Sequence, residues 1–390
     1  MKWAFTLHDG PPAHKRNRRV VQNGRLRYTA AMMKVFEETP AEVQSGGSAL
    51  AATLHAPAMP LRSVLVLPPL AEERKACHRI LCEMARRFAA AGAAVLRFDY
   101  RGTGDADGVF DAFSADDWLA DAAAAHAWLC RRFPGLAPAL LGVRFGATLA
   151  ARLSVPCSAR LLVEPVDGAA FVRYLLQRNQ VNQMVAFGKP RIARAAVEAA
   201  WARGETADLD GYPFSARLAR GLAAFDAAPW QEPGCIVSTG GDLRAADAAH
   251  AAAPAAERLS LRLPAFWNTV GQVDVAPLVD ALAAALVRLV PGHPCAAPSP
   301  PPPAAETARD GGAVAIATPA GTVRGWVERP AAPPRARALF LHGWSGDRTG
   351  PHRMFVTAAR ALAARGVLSL RIDFSGRGES DGDTSAASIA

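Results

Sequence analysis

An α/β fold with a mostly parallel sheet and helices on both of its faces is what this 390-residue sequence predicts. Three observations predict it. Short apolar runs, such as SVLVL at 63–67, alternate with longer stretches of helical periodicity. The runs are too short for helices and lack the polar alternation of a half-solvated strand, so they suit strands buried on both faces. Gly-rich turns punctuate the pattern at 99–108 and 142–146. A composition of 51% hydrophobic and 20% charged residues is that of a globular chain and excludes a disordered one. No stretch approaches the roughly 20 apolar residues that a membrane span needs.

The elements follow in order. After the strand at 63–67, residues 78–91 carry apolar side chains at helical spacing, and Gly92 is placed to end that helix. A strand at 94–98 leads into the 99–108 loop. A second helix spans 114–130, with Ser114 as N-cap and Asp116 and Asp117 in its first turn. A third strand at 137–141 and a third helix opening at 147–153 enclose Gly142-Val143-Arg144-Phe145-Gly146. This G-x-X-x-G frame belongs to a strand-to-helix turn so tight that side chains at its flanks would collide. Residues 167–225 are rich in helix formers and apolar residues (Phe171, Tyr174, Leu175, Leu176, Met184, Phe187) and read as a helical cap, with extra helices packed on the sheet an equal alternative. Strands at 235–238 and 259–263 complete the set.

The net charge of +9 is mostly local. Residues 1–34 hold eight basic residues against Asp9, which accounts for seven of the nine charges and leaves the rest of the chain nearly neutral. Those residues lack apolar periodicity, so an unstructured basic leader is expected rather than a nucleic-acid-binding arm. They also lack the apolar core of a secretory signal, which points to a cytoplasmic protein. Six cysteines occur without a CxxC pair, and the His residues do not cluster with other ligands; no metal, cofactor or disulfide framework is expected. Gly102-Thr103-Gly104 lacks the Lys-Ser/Thr ending of a phosphate loop.

A Pro-rich linker at 291–312 divides a body at 35–290 from a tail at 313–390. Shifted by 274 positions, residues 67–108 align without a gap on 341–382, with 16 identities in 42 positions. The matches include Arg74/Arg348, His78/His352, Arg79/Arg353, Asp99/Asp373, Gly102/Gly376, Gly104/Gly378 and Gly108/Gly382. The tail is therefore expected to be the N-terminal part of a second copy of the body. Lacking the covering elements of a complete sheet, it should either dock on the body or be poorly ordered.

The elbow frame, the paired loops RFDYRGTGDADG and RIDFSGRGESDG, and His342-Gly343 after a strand resemble the α/β-hydrolase superfamily, in its serine aminopeptidase-like branch. Pro68-Pro69-Leu70-Ala71-Glu72-Glu73 with a G-x-R-x-G elbow is similar to hydrolases associated with exosortase and exopolysaccharide loci. The resemblance implies acyl-transfer chemistry on esters, thioesters or small amides, but the body departs from its residues. The central elbow position, which it assigns to a nucleophilic Ser between Gly142 and Phe145-Gly146, is Arg144. A guanidinium is not a nucleophile near neutral pH. The acid position is Asp242, retained, and the position for the base after the last strand holds Trp267. The oxyanion loop reads Pro68, Pro69, Leu70, with Glu72 and Glu73, where His-Gly is implied. The tail keeps that loop as His342, Gly343, Trp344, but Ser345 lies in this loop and not at an elbow. His250 has no elbow hydroxyl to activate.

Two functions are therefore expected. One is a non-catalytic body that binds an acyl or anionic small molecule, or a protein partner. The other is a serine hydrolase completed by a second domain continuing past residue 390. Arg144, expected at the pocket floor, needs a carboxylate, and Glu72 or Glu73 on the neighbouring loop is the expected partner.

Overall fold

The computed structural model describes residues 35–241, 243–269, 273–295, 298–300 and 311–383. The expected leader therefore lies outside the described residues. Strands β1 (Glu37–Ser45) and β2 (Ser48–Ala56) form an antiparallel hairpin. Its two-residue turn, Gly46-Gly47, has positive φ at both positions, which matches the twist of the flanking strands. Strand β3 (Arg62–Leu67) leads to α1 (Ala71–Ala90), β4 (Ala93–Phe98), α2 (Ala115–Arg132), β5 (Ala139–Val143), α3 (Phe145–Arg152) and β6 (Arg160–Val163). Ser114 caps α2 in a reciprocal arrangement with Asp117, as its sequence position predicts.

After β6 come the inserted elements: α4 (Gly168–Phe187), α5 (Arg194–Ala202), a hairpin of β7 (Thr206–Leu209) and β8 (Tyr212–Ser215), and α6 (Ala216–Ala223). The cap is thus not purely helical. Its hairpin turns on Asp210-Gly211, both at positive φ, a dipeptide whose preference for this turn was legible. Strand β9 (Gly234–Ser238), α7 (Leu243–Ala252), β10 (Glu257–Ser260) and α8 (Ala276–Leu289) finish the body. Strand β10 lies earlier than the expected 259–263, although the Leu261 N–H still donates to Ser238, the last residue of β9, and the Leu263 N–H to Thr239 just after it.

The eight strands order as β1-β2-β4-β3-β5-β6-β9-β10. The pairs β1–β2 and β2–β4 are antiparallel and all others parallel. Alternate residues feed two cores. Val64, Val66, Val95, Leu141 and Val163 pack against α1 and α8 through Cys77, Leu81, Phe88, Leu278 and Leu282. Leu65, Leu96, Phe98, Leu140 and Leu162 face Trp118 and Ala122 of α2, Leu149 of α3, and Phe171 and Leu175 of α4. Met184 and Phe187, grouped above with the apolar cap residues, are instead exposed. Among the described residues no two cysteines are joined by a disulfide; Cys77, Cys82, Cys235 and Cys295 are buried.

The linker is not a simple spacer. His293 and Cys295 donate backbone N–H groups to Leu61 and Pro60, and Ser299 donates to Arg132, so its first part runs along the body. Beyond it, β11 (Gly311–Thr318), β12 (Gly321–Glu328), β13 (Ala336–Phe340), α9 (Met354–Ala363) and β14 (Val367–Ile372) form a second sheet in the order β11-β12-β14-β13. Their pairings, antiparallel, antiparallel and parallel, are those of β1-β2-β4-β3. This unit docks on the body through buried arginine–carboxylate and arginine–carbonyl contacts, the first of the two expected outcomes.

Acid should loosen this docking. Burial pushes the Glu379 carboxyl up, but Arg348 and Arg97 beside it outweigh that and hold it well below its usual range. Glu38, between Arg86 and Arg324 of the two units, is likewise held down, at about 2 against its own burial. Because both are depressed below the unfolded value near 4.3, the stability they contribute is present above that pH and is lost as pH falls through their folded values. Amide-exchange protection in 311–383 is expected to fall between about pH 4 and pH 2; protection maintained to pH 2 would contradict it.

Candidate functional site

The site lies at the C-terminal ends of the parallel strands, where open α/β sheets place their crevices. Strand β5 ends at Val143, and Arg144 alone makes the turn into α3, at φ 56° and ψ −124°. Such a backbone costs about 1–3 kcal/mol in a residue with a Cβ. The flanking glycines make it feasible. A Cβ at Gly142 would lie 2.4 Å from the Gly146 carbonyl oxygen, and one at Gly146 would lie 2.2 Å from that of Leu67. The elbow read from the sequence is thus present as a strained strand–turn–helix, with Arg144 at its apex.

Two neighbours share this geometry. Ala71, at the start of α1, has φ 50°, and Glu164, directly after β6, has φ 47°. The turn at Ala71 changes the reading of 68–73. Pro68 and Pro69 end the strand, buried Leu70 is the N-cap, and α1 begins seven residues before the expected 78. Glu72 and Glu73 therefore sit in the first turn of a helix, where its dipole favours negative charge, and not on a free loop.

Glu73 is the carboxylate that Arg144 needed. The Arg144 Nη2 donates to its Oε1 at 3.2 Å, and Nε lies 3.3 Å from both carboxylate oxygens. Glu73 is fully buried and Arg144 is 7% exposed. Burial pushes the Glu73 carboxyl up, partly offset by Arg144, while Glu73 overcomes the burial of the guanidinium and raises its pKa. Trp267, which the sequence reading expected at the position for a base, lies under the guanidinium with 4.4 Å between Cζ and the ring centre, and the Tyr174 ring of α4 stands at 5.9 Å. Nη1 reaches the Glu164 carbonyl at 3.4 Å. The cation is thus held by a carboxylate, an aromatic face and a carbonyl.

Glu72 turns the other way. It accepts from Lys75 at 3.3 Å and from the Tyr212 hydroxyl at 3.3 Å, and lies 3.5 Å from Nδ1 of His352, which comes from the second unit. The hydrogen bond to Glu72 raises the His352 pKa, and Glu72 falls to about 2 despite its burial. Glu164 was missed by sequence reasoning, since a glutamate closing a strand has no motif. Its carboxylate accepts from the backbone N–H and hydroxyl of Thr239 and from the Gly241 N–H at 3.3 Å, and so ties the segment after β9 to the elbow. Asp242 itself lies outside the described residues. His342, Gly343 and Trp344 are elsewhere: His342 accepts from the Phe374 N–H at 3.1 Å, and exposed Trp344 carries Arg377 over its ring. His250, on α7, keeps its Nδ1 buried without a hydrogen bond among the described residues. No group of three or more potential metal ligands occurs among the described residues.

No protein-family profile matches the sequence, and no curated sequence does. Solved structures do. An esterase of Pyrococcus furiosus is similar at 15% identity and a TM-score of 0.46, over 70% of this chain and 97% of that one. A proline iminopeptidase-related protein of Thermus thermophilus is similar at 20% identity and 0.45, over 65% and 99%. A thioesterase domain from the curacin biosynthetic pathway is similar at 15% and 0.41, over 64% and 99%.

Removing the guanidinium should strand a buried carboxylate. Arg144→Ala is expected to cost about 3–5 kcal/mol at pH 7, measured by urea denaturation. The double variant Arg144→Met with Glu73→Leu should recover most of that loss. A single variant as stable as the parent would show that the pair does not hold the site.

Proposed function

We propose that this chain is an α/β-hydrolase-fold protein whose body has left acyl transfer and serves as a binding or interaction domain. One observation carries the reading: the apex of the elbow, from which a nucleophile would point, is occupied by Arg144, and its guanidinium is engaged by Glu73 and Trp267. A hydroxyl and a base act only together, and neither position has its residue. The charge of Arg144 is matched by Glu73, which removes the reason for preferring an anionic small-molecule ligand. Protein interaction is favoured over an acyl ligand because the second unit reaches the mouth of the site through His352.

The second unit reads as a partial second copy of the body. The support is the 274-residue register together with the matching strand order. An alternative function follows from it: a serine hydrolase completed by sequence after residue 390. What favours it is the His342-Gly343 loop and the position of β13 at the edge of its sheet among the described residues, where β3 is instead paired with β5. A G-x-S-x-G centred about 35 residues after Gly382, the distance from Gly108 to Arg144, in the following coding sequence would support that alternative. The finer likeness to exosortase-associated hydrolases rests on residues 68–73 and the G-x-R-x-G elbow alone.

The chain is expected to hydrolyse p-nitrophenyl esters no faster than background. Turnover abolished by a fluorophosphonate that labels this chain would overturn the reading. Arg144→Ser alone should not restore activity, because Trp267 gives the hydroxyl no proton acceptor. Substantial hydrolysis by that variant would reveal another base within reach.

A further inference from the structure

The contacts between the two units come in pairs related by the same 274-residue shift that relates their sequences. Arg97 donates to the Glu379 carboxylate at 2.6 Å, and Arg371 donates to the Asp105 carboxylate at 2.7 Å. Arg79 donates to the carbonyls of Ser380 and Gly382, and Arg353 donates to those of Ala106 and Gly108. Arg86 reaches the Glu379 carbonyl at 2.8 Å, and Arg360 reaches that of Asp105 at 3.1 Å. In each case a contact from the body to the second unit is matched by the contact of the two shifted residues from the second unit back to the body. Reciprocity of this kind defines a twofold, isologous interface, in which one surface is complementary to itself.

The chemistry explains the self-complementarity. Each unit carries both halves of the contact. Arginines on its helix and strand supply the donors: Arg79, Arg86 and Arg97 on the body, Arg353, Arg360 and Arg371 on the second unit. The loops at 99–108 and 373–382 supply carboxylate and carbonyl acceptors. The guanidinia are largely desolvated: Arg371 is fully buried, and Arg86, Arg97 and Arg353 are nearly so. Arginine forks on carboxylates and carbonyls of fixed geometry are specific contacts.

We propose that this face of the body is a self-association surface, occupied within the chain by residues 311–383 and fitted equally by the same face of a second copy of this chain. The inference rests on the two-unit reading above. The tether keeps the internal partner at high effective concentration, so the chain is a monomer until the internal match is spoiled.

Charge reversal separates the two partners. Reversing both halves on the body, Arg97→Glu with Asp105→Arg, makes its face mismatch the second unit while still matching itself. The full-length double variant is expected to sediment as a reversible dimer at micromolar concentrations where the parent is a monomer. Either single reversal should stay monomeric, because it spoils both matches. The fourfold variant, adding Arg371→Glu and Glu379→Arg, should return to a monomer with near-parental melting. A folded double variant that remains monomeric at about 100 µM, well above the Kd range expected of a specific interface, overturns the proposal, and a fourfold variant that does not regain stability overturns the internal docking instead. If the buried reversals prevent folding, the parent itself serves. Light and isotope-labelled chains, opened together in urea and refolded at high concentration, should yield mixed dimers in native mass spectrometry. Monomers alone would overturn it.

Discussion

A guanidinium removed from water must be given a carboxylate, a carbonyl or an aromatic face, and most of this structure's particular features answer that requirement. Arg144 would be intolerable at the apex of a buried elbow without Glu73 and Trp267. Arg371, with no exposed surface, is met by Asp105 and Glu328. Arg348 lies among Asp105, Asp373 and Glu379. Of the acidic residues that serve these cations, Asp105, Asp373 and Glu379 lie in the Gly-rich loops at 99–108 and 373–382, while Glu73 sits in the first turn of α1, directly after the positive-φ turn at Ala71, and Glu328 ends β12.

The turn at Arg144 shows backbone geometry set independently of the residue at its apex. Gly142 and Gly146 are demanded by backbone packing alone and say nothing about the residue between them. The turn therefore keeps its shape whether its apex bears a hydroxyl or a guanidinium. Its surroundings suit the residue it bears: the Trp267 ring stacks on the guanidinium, and Glu73, in the first turn of α1, pairs with it. Both neighbours suit a fixed positive charge, which is why the three residues are better understood together than singly.

Much of the body was legible because its strands are buried on both faces and so appear as unbroken apolar runs, with Gly or Pro at their ends. Ser114, Gly92 and the Gly142–Gly146 frame marked boundaries through local chemistry that needs no tertiary information. The pairing of Arg144 with a glutamate on the adjacent segment followed from burial. The start of α1 did not, since two prolines before it signal extended chain and the decisive turn is a positive φ at Ala71, which no sequence rule assigns to alanine. Glu164 escaped for a related reason: its role is to accept from Thr239 and Gly241, residues far along the chain. The β7–β8 hairpin was missed although Asp210-Gly211 announced it, because helix formers dominate the composition around it.

The order of the second sheet leaves β13 with a partner on one side only among the described residues. Leu339 and Leu341, at and just beyond that strand, are more than half exposed. A strand edge with a partner on one side and apolar side chains in solvent is a template for further strands, opposed here by Arg337 within the strand and by Pro333, Pro334 and Arg335 before it. The practical consequence concerns handling: this segment, and not the charged contact between the units, is where concentrated or warmed preparations would begin to form fibrous aggregates.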